Sequence, residues 1–321
     1  MSSNHPHDRF FRSVFAHREL MAEYVNNFLP KALSSRFHLD TLEQQKESYL
    51  DKNLNQYFSD VVYTVGYGKS KVTLTLLLEH KSYVPPHPWL QLLQYMVNAY
   101  SAQAAKVGRK KLTPVVPIIV YHGKEKWNVR PVSSYFKGVD DLSVVFIPEF
   151  KYLLNDLSHY SEEELLAMEG TWAKRAFLAL KASQWKKTME GLQLVFAGIT
   201  EWEVENSLVD FFHVVVVYLL QSGDKQASKE EIMRAINKIA SPARDKVRSA
   251  YDQVISWGME EGMEKGREEE RINKSFQVFK KGIPMGLSVA DLITLTEVSE
   301  ETAISWYAML KENPDAELPK S

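Results

Sequence analysis

The segment DVVYTVGYGKSKVTLTLLLEHKS, residues 60–82, decides how this chain folds. Asp60–Val65 is β-branched and aromatic, as strands are. Val72–Glu79 alternates at its start and is solidly apolar at its end. Between them GYGKSK is rich in turn formers, so the segment reads as an antiparallel hairpin. The continuous apolar stretch predicts a strand buried on both faces, in a sheet covered by helices. A hairpin centred between Lys69 and Ser70 sets Asp60 near-opposite Glu79, with Cβ atoms about 5 Å apart if they pair directly. The strand period of two puts Lys81 on the side of Glu79 and turns His80 the other way.

Working outward, residues 8–29 carry apolar side chains at helical spacing. Asp8 is placed to cap this helix, Pro30 ends it, and a kink is expected near Ala16–Arg18. Trp89, Leu92, Leu93, Met96, Val97 and Tyr100 predict a helix over 88–107, with Pro88 in its first turn and Gly108 at its end. Val115–Tyr121 reads as a strand whose Pro117 requires an edge position or a bulge. Ser143–Ile147 reads as one more strand. The order helix, hairpin, helix, strand predicts an α/β core over residues 1–156, a small mixed sheet flanked by helices.

An all-α region follows. A helical extension is expected over 157–257, with helices at Glu162–Met168, Trp172–Leu180, Met189–Phe196, Val204–Leu220, Lys229–Ile239 and Ala243–Trp257. Residues 258–271 (GMEEGMEKGREEER) have glycine at every fourth position and six Glu against three basic residues. They read as an acidic helical linker weakened by its glycines, or as a close helix–helix contact through them. Residues 272–321 form a small module of short helices, with Ser288/Asp291 and Ser299 as caps. Its spacing suits a helix-turn-helix, yet residues 286–310 contain Asp291, Glu297, Glu300 and Glu301 and no Lys or Arg. A DNA-reading helix needs positive charge, so the module is expected to pair copies of the chain or to hold a partner.

Composition narrows the chemistry. The chain has 321 residues, 45% of them hydrophobic, and a net charge of −2. A uniformly basic nucleic-acid coat is excluded, whereas a local basic patch is not. With no cysteine, disulfides, thiolate zinc sites, iron–sulfur clusters and thiol catalysis are excluded. The longest apolar run, Phe211–Leu220, is far short of the roughly 20 residues of a bilayer helix. The N-terminus lacks a signal-peptide pattern. A cytoplasmic protein without a membrane partner is expected.

Asp60, Glu79 and Lys81 carry the candidate chemistry. Two carboxylates on one sheet edge suit a hard cation such as Mg²⁺. The metal would polarise a phosphate oxygen and supply hydroxide, while the lysine orients water or stabilises developing charge. The bland alternative is two strand-end acids with Lys81 as a surface partner. Asp8 and Glu19 are lesser candidates for a further ligand, with capping and a solvated face as their alternatives. Tyr121 and His122 border the same strand end. His213, in an apolar stretch, reads as a core histidine.

This arrangement resembles the PD-(D/E)XK restriction-endonuclease-like core. HDRFFRSVF (7–15), FLP (28–30), YFSDVVYTV (57–65), LLEHKS (77–82), LLQY (92–95), PIIVYHG (117–123) with Trp127, and KYLLNDLSHYSEEEL (151–165) together resemble the Rpn-type recombination-promoting nuclease/putative transposase family. The resemblance implies a bacterial, cytoplasmic, metal-dependent DNA endonuclease that promotes recombination, using Mg²⁺, Mn²⁺ or another divalent cation. It carries catalytic roles onto Asp60, Glu79 and Lys81, and metal ligation onto Asp60 and Glu79. Lys81 stands where the family usually has Gln, and Gln91 where it often has Arg. Tyr95 matches, one turn from Gln91. Asp156 matches a family Asp that completes the site or caps a helix.

DNA needs cationic surface. From 106 to 130 the chain has seven basic residues and one acid: Lys106, Arg109, Lys110, Lys111, Lys124, Lys126 and Arg130 against Glu125. This is the expected phosphate-contact patch, with Gln91 and Tyr95 as further DNA-facing candidates. The expected function is an endonuclease that works as a homodimer or homo-oligomer through its C-terminal helices. Two other readings stand beside it: a noncatalytic DNA-binding accessory protein of recombination or transposition, and a regulatory protein acting through those helices.

Overall fold

The structure is a computed structural model that describes residues 6–45, 61–69, 72–107, 111–184, 188–208, 210–222, 227–240 and 242–318. The chain divides into two compact units, residues 1–251 and residues 252–321.

In the first unit, α1 (Pro6–Phe15) and α2 (Arg18–Phe28) meet at the expected kink, and α3 (Lys31–Ser34) follows Pro30. A five-stranded sheet follows in the order β1-β2-β3-β4-β5. Its strands are β1 (Phe37–Gln44), β2 (Val61–Tyr67), β3 (Val72–Lys81), β4 (Val115–Tyr121) and β5 (Leu153–Asp156). β1 and β3 pair antiparallel with β2, whereas β4 and β5 add in parallel. The hairpin register is the expected one, from Val61 opposite Leu78 to Tyr67 opposite Val72. Between β3 and β4, α4 (Pro88–Val107) makes the crossover that a parallel pair requires.

The sheet is covered on both faces. Leu92, Tyr95 and Ala99 of α4 pack with Val115, Ile119 and Tyr121 of β4 and with Trp127. On the other face the Phe11 ring of α1 lies 5.2 Å from that of His80, and the Tyr63 hydroxyl donates to the Phe15 carbonyl at 2.9 Å.

Three expectations are corrected. Ser143–Ile147 is not a strand: Val144–Phe146 is a 3₁₀ turn, and Val145 and Phe146 are 71% and 86% exposed. Its apolar side chains are largely exposed, and the fifth strand is the shorter Leu153–Asp156. β4 is an inner strand despite Pro117. The β5 ladder begins only at Ile118, so Pro117 lies where β4 has β3 alone as neighbour. The expected helix Val204–Leu220 is two, α8 (Glu201–Glu205) and α9 (Phe211–Ser222). Asp210 between them takes a left-handed φ of 58°, which no helix continues through.

The helices after the sheet are α5 (Glu162–Ala167), α6 (Trp172–Gln184), α7 (Thr188–Val195), α8, α9 and α10 (Lys229–Asn237). Capping boxes start α5 at Ser161, α8 at Thr200 and α10 at Ser228. α6 is almost wholly buried, and its N-terminus is capped from afar. Glu23 of α2 accepts backbone N–H bonds from Thr171, Trp172 and Ala173 at 2.9, 2.7 and 2.8 Å, filling positions that helices leave orphaned.

The 40-residue α11 (Ala243–Gly282) includes the Gly-spaced stretch 258–271. In the second unit, Phe276 and Phe279 of α11 form a core with Leu292 of α12 (Val289–Thr296) and with Ala303, Trp306 and Leu310 of α13 (Glu300–Glu312). Ser288 and Asp291 make the expected capping box, and Ser299 caps α13.

Candidate functional site

The end of β3 faces α4. Glu79 and Lys81 share one side of the strand, and Lys81 Nζ donates to Glu79 Oε1. From the first turn of α4, Gln91 Nε2 donates to the same oxygen at 2.9 Å and also contacts the Tyr95 hydroxyl, one turn on. Glu79 is 1% exposed, and its Oε2 has no hydrogen-bond partner among the described residues. Burial pushes the Glu79 carboxyl up, Lys81 and Gln91 pull it back, and the charge of Asp8 adds to the rise. Tyr95 is buried, which raises its hydroxyl as well.

Of the other candidates, Asp60 lies outside the described residues. Asp156 ends β5 and is buried, and its Oδ1 accepts the Ser158 N–H at 2.9 Å, which caps the 3₁₀ turn Leu157–His159. Glu19 is exposed in the first turn of α2. His213 is half-buried on α9. Arg109 and Lys110 lie outside the described residues, as does the side chain of Lys106. Lys111, Lys124, Lys126 and Arg130 are exposed, and Arg130 stacks 4.3 Å over the Tyr135 ring.

The opposite face of the sheet holds a histidine chain that the sequence did not reveal. Asp8 is not an N-cap, because α1 starts at Pro6. Its Oδ1 lies 3.4 Å from His80 Nδ1, and His80 Nε2 lies 2.8 Å from His122 Nδ1. His7 stacks edge-on to His122 at 4.9 Å, and its Nδ1 lies 2.7 Å from the Tyr218 hydroxyl. His80 and His122 are both buried. Burial lowers both imidazoles, and for His122 the neighbouring His80 and His7 lower it further. The pairs HD (7–8), EH (79–80) and YH (121–122) were visible, but only the sheet order brings them together.

The fold and this site define a mixed-sheet protein with a buried carboxylate–lysine pair at a strand end. Residues 5–193 match the family described as "Putative transposase, YhgA-like", and the chain belongs to that family. Among its relatives, Recombination-promoting nuclease RpnD of Escherichia coli O157:H7 is 22% identical over 240 residues, 73% of this chain and 88% of its own length. Inactive recombination-promoting nuclease-like protein RpnE of Escherichia coli strain K12 is 22% identical over 302 residues, 90% of this chain and 94% of its own length. Recombination-promoting nuclease RpnC of the same strain is 27% identical over 122 residues, 38% of this chain and 40% of its own length. No solved structure matches this chain.

These findings overturn the expectation of a working Mg²⁺- or Mn²⁺-dependent endonuclease. The relative aligned over 90% of the chain is an inactive one. Among the described residues no three His, Asp or Glu side chains group to hold a metal ion. The physical reason lies at Glu79: the carboxylate is shut from solvent, and Lys81 and Gln91 already share its Oε1. Among the described residues no helix is long and apolar enough to cross a membrane.

Proposed function

We propose that this protein is a noncatalytic DNA-binding accessory protein of recombination or transposition, built on a PD-(D/E)XK-type scaffold. The observation that carries this reading is the closed state of Glu79, with Lys81 and Gln91 on one buried oxygen. Metal-assisted hydrolysis needs carboxylate oxygens free to bind the cation, and Oε1 of Glu79 is already taken by Lys81 and Gln91. Here Gln91 and Glu79 act as a structural tie between α4 and β3, with Lys81 as the counter-charge on the strand. Asp156, which caps the turn Leu157–His159, is assigned a scaffold role on the same reading.

The DNA surface is assigned to the cationic stretch 106–130. Its exposed members Lys111, Lys124, Lys126 and Arg130 support this assignment, and Lys106, Arg109 and Lys110 extend it in sequence. Gln91 and Tyr95 serve the Glu79 tie instead. Phosphate contacts of this kind give affinity without sequence preference and fall with salt. The working division is a nuclease-like core at 1–156, a helical extension at 157–257, a linker at 258–271 and a C-terminal module at 272–321 that pairs copies of the chain. The test is fluorescence anisotropy with a labelled duplex over a salt series, beside incubation with supercoiled plasmid and Mg²⁺. Salt-sensitive binding without nicking supports the reading; nicking abolished by Glu79→Ala ends it.

A further inference from the structure

Trp89, in the first turn of α4, backs two rings of the loop that follows β4. It is buried, and its ring lies 5.5 Å from that of Phe136 and 6.3 Å from that of Tyr135. His87, exposed just before α4, lies edge-on to Tyr135 at 5.9 Å. The Arg130 guanidinium carbon sits 4.3 Å from the Tyr135 ring centroid, a cation–π contact. Phe136 is 42% exposed and Tyr135 is half-buried. The cluster therefore presents ring surface to solvent beside a cation.

The loop that carries these rings is fastened. Val132–Tyr135 is a 3₁₀ turn with Val132 buried. Glu149 Oε1 accepts the Val132 N–H at 3.0 Å, and its Oε2 accepts the Ser133 N–H at 3.1 Å. Ser134 Oγ donates to the Pro131 carbonyl at 2.7 Å. Rings displayed from hydrogen-bonded backbone lose little freedom when they bind. Lys137 follows Phe136 and is exposed, so two cations flank the rings in the chain. Glu149, the carboxylate bonded to this turn, is engaged through both oxygens.

A partner for this surface must offer a flat apolar face joined to an anion. A nucleic-acid base with its phosphate offers both. In a duplex the base faces are covered by their neighbours, whereas in a single strand they are free to stack on aromatic side chains. We propose, resting on the DNA-binding reading above, that this cluster is a stacking platform for single-stranded DNA. An unpaired base lies on the Phe136 ring, and the neighbouring phosphates meet Arg130 and Lys137. Trp89 and His87 are positioning residues that hold Phe136 and Tyr135.

The full chain is titrated by fluorescence anisotropy, at one low salt concentration, with a labelled oligothymidylate, an abasic strand of the same length and a duplex of that length. The abasic strand has the same phosphates and no bases. The oligothymidylate is expected to bind at least tenfold more tightly than the abasic strand. Phe136→Ala is expected to cut that advantage about tenfold, the loss of one base–ring stack. Phe136→Trp keeps a ring over Trp89 and is expected to retain the advantage. Equal affinity for the oligothymidylate and the abasic strand overturns the proposal. So does an advantage that Phe136→Ala leaves unchanged, or one that Phe136→Trp loses as fully as Phe136→Ala. If the duplex still binds in any of these cases, DNA binding stands without the platform. If neither the duplex nor the single strands bind, both fall.

Discussion

Gln91 Nε2 reaches from the first turn of α4 to Glu79 Oε1 on β3 at 2.9 Å, and Lys81 Nζ meets the same oxygen. One carboxylate oxygen thus ties a strand end to the helix that crosses over it. Residues that read as a chemical set in the sequence are joined by hydrogen bonds in the fold.

Lys81→Ala should destabilise the protein by about 3–5 kcal/mol at neutral pH. It leaves a buried carboxylate without its cation, the costly way to break a buried pair. Urea unfolding measures the loss through the midpoint at constant slope. A change under 1 kcal/mol would show that Lys81 does not offset a buried charge on Glu79.

The raised Glu79 carboxyl sets a sign for pH dependence. The folded protein keeps this proton to higher pH than the unfolded chain, whose Glu titrates near about 4.3. The burial penalty is absent below that pH and grows as pH rises towards the raised folded value. Glu79→Gln should therefore gain stability relative to wild type between pH 4 and pH 7. Paired urea curves at the two pH values read the sign directly.

Glu23→Gln should cost about 2 kcal/mol. Glu23 accepts three N–H bonds at the start of α6 with two ionised oxygens, and charge-assisted bonds are roughly twice as strong as neutral ones. Gln keeps a single acceptor oxygen. Thermal unfolding of the variant measures the loss, and an unchanged midpoint would contradict it.

Glu297→Gly should stabilise the C-terminal unit by about 0.5–1 kcal/mol. Glu297 ends α12 at φ 54°, where glycine is free of the Cβ penalty. Hydrogen exchange of the α12 and α13 amides reads this change locally.

The sheet was legible where side-chain pattern and burial agree. β2, β3, β4 and α4 fall where periodicity places them, and the hairpin register follows from its turn. β1 was not legible: FHLDTLEQ buries only Phe37 and Leu42, and its pairing slips between His38 and Glu43. An edge strand with one half-wet face leaves little apolar signal. The reverse error fell at Ser143–Ile147, where apolar residues sit exposed in a loop. At the site, the shared side of Glu79 and Lys81 followed from strand parity. The part of Gln91 was not readable, because a hydrogen bond between helix and strand depends on where α4 lies over the sheet. The Asp8–His80–His122 chain was hidden for the same reason, its members being 72 and 42 residues apart.

DNA binding without cleavage is tested by a salt series of duplex binding for wild type and for Lys111→Ala with Lys126→Ala, with plasmid integrity followed in Mg²⁺. Binding should weaken as salt rises, and the double substitution should lower the salt slope by about 2, near one per phosphate contact. Plasmid should stay intact, and Glu79→Gln should bind like wild type. Plasmid cleavage that needs the metal and disappears in Glu79→Gln, or no duplex binding at low salt, would contradict it.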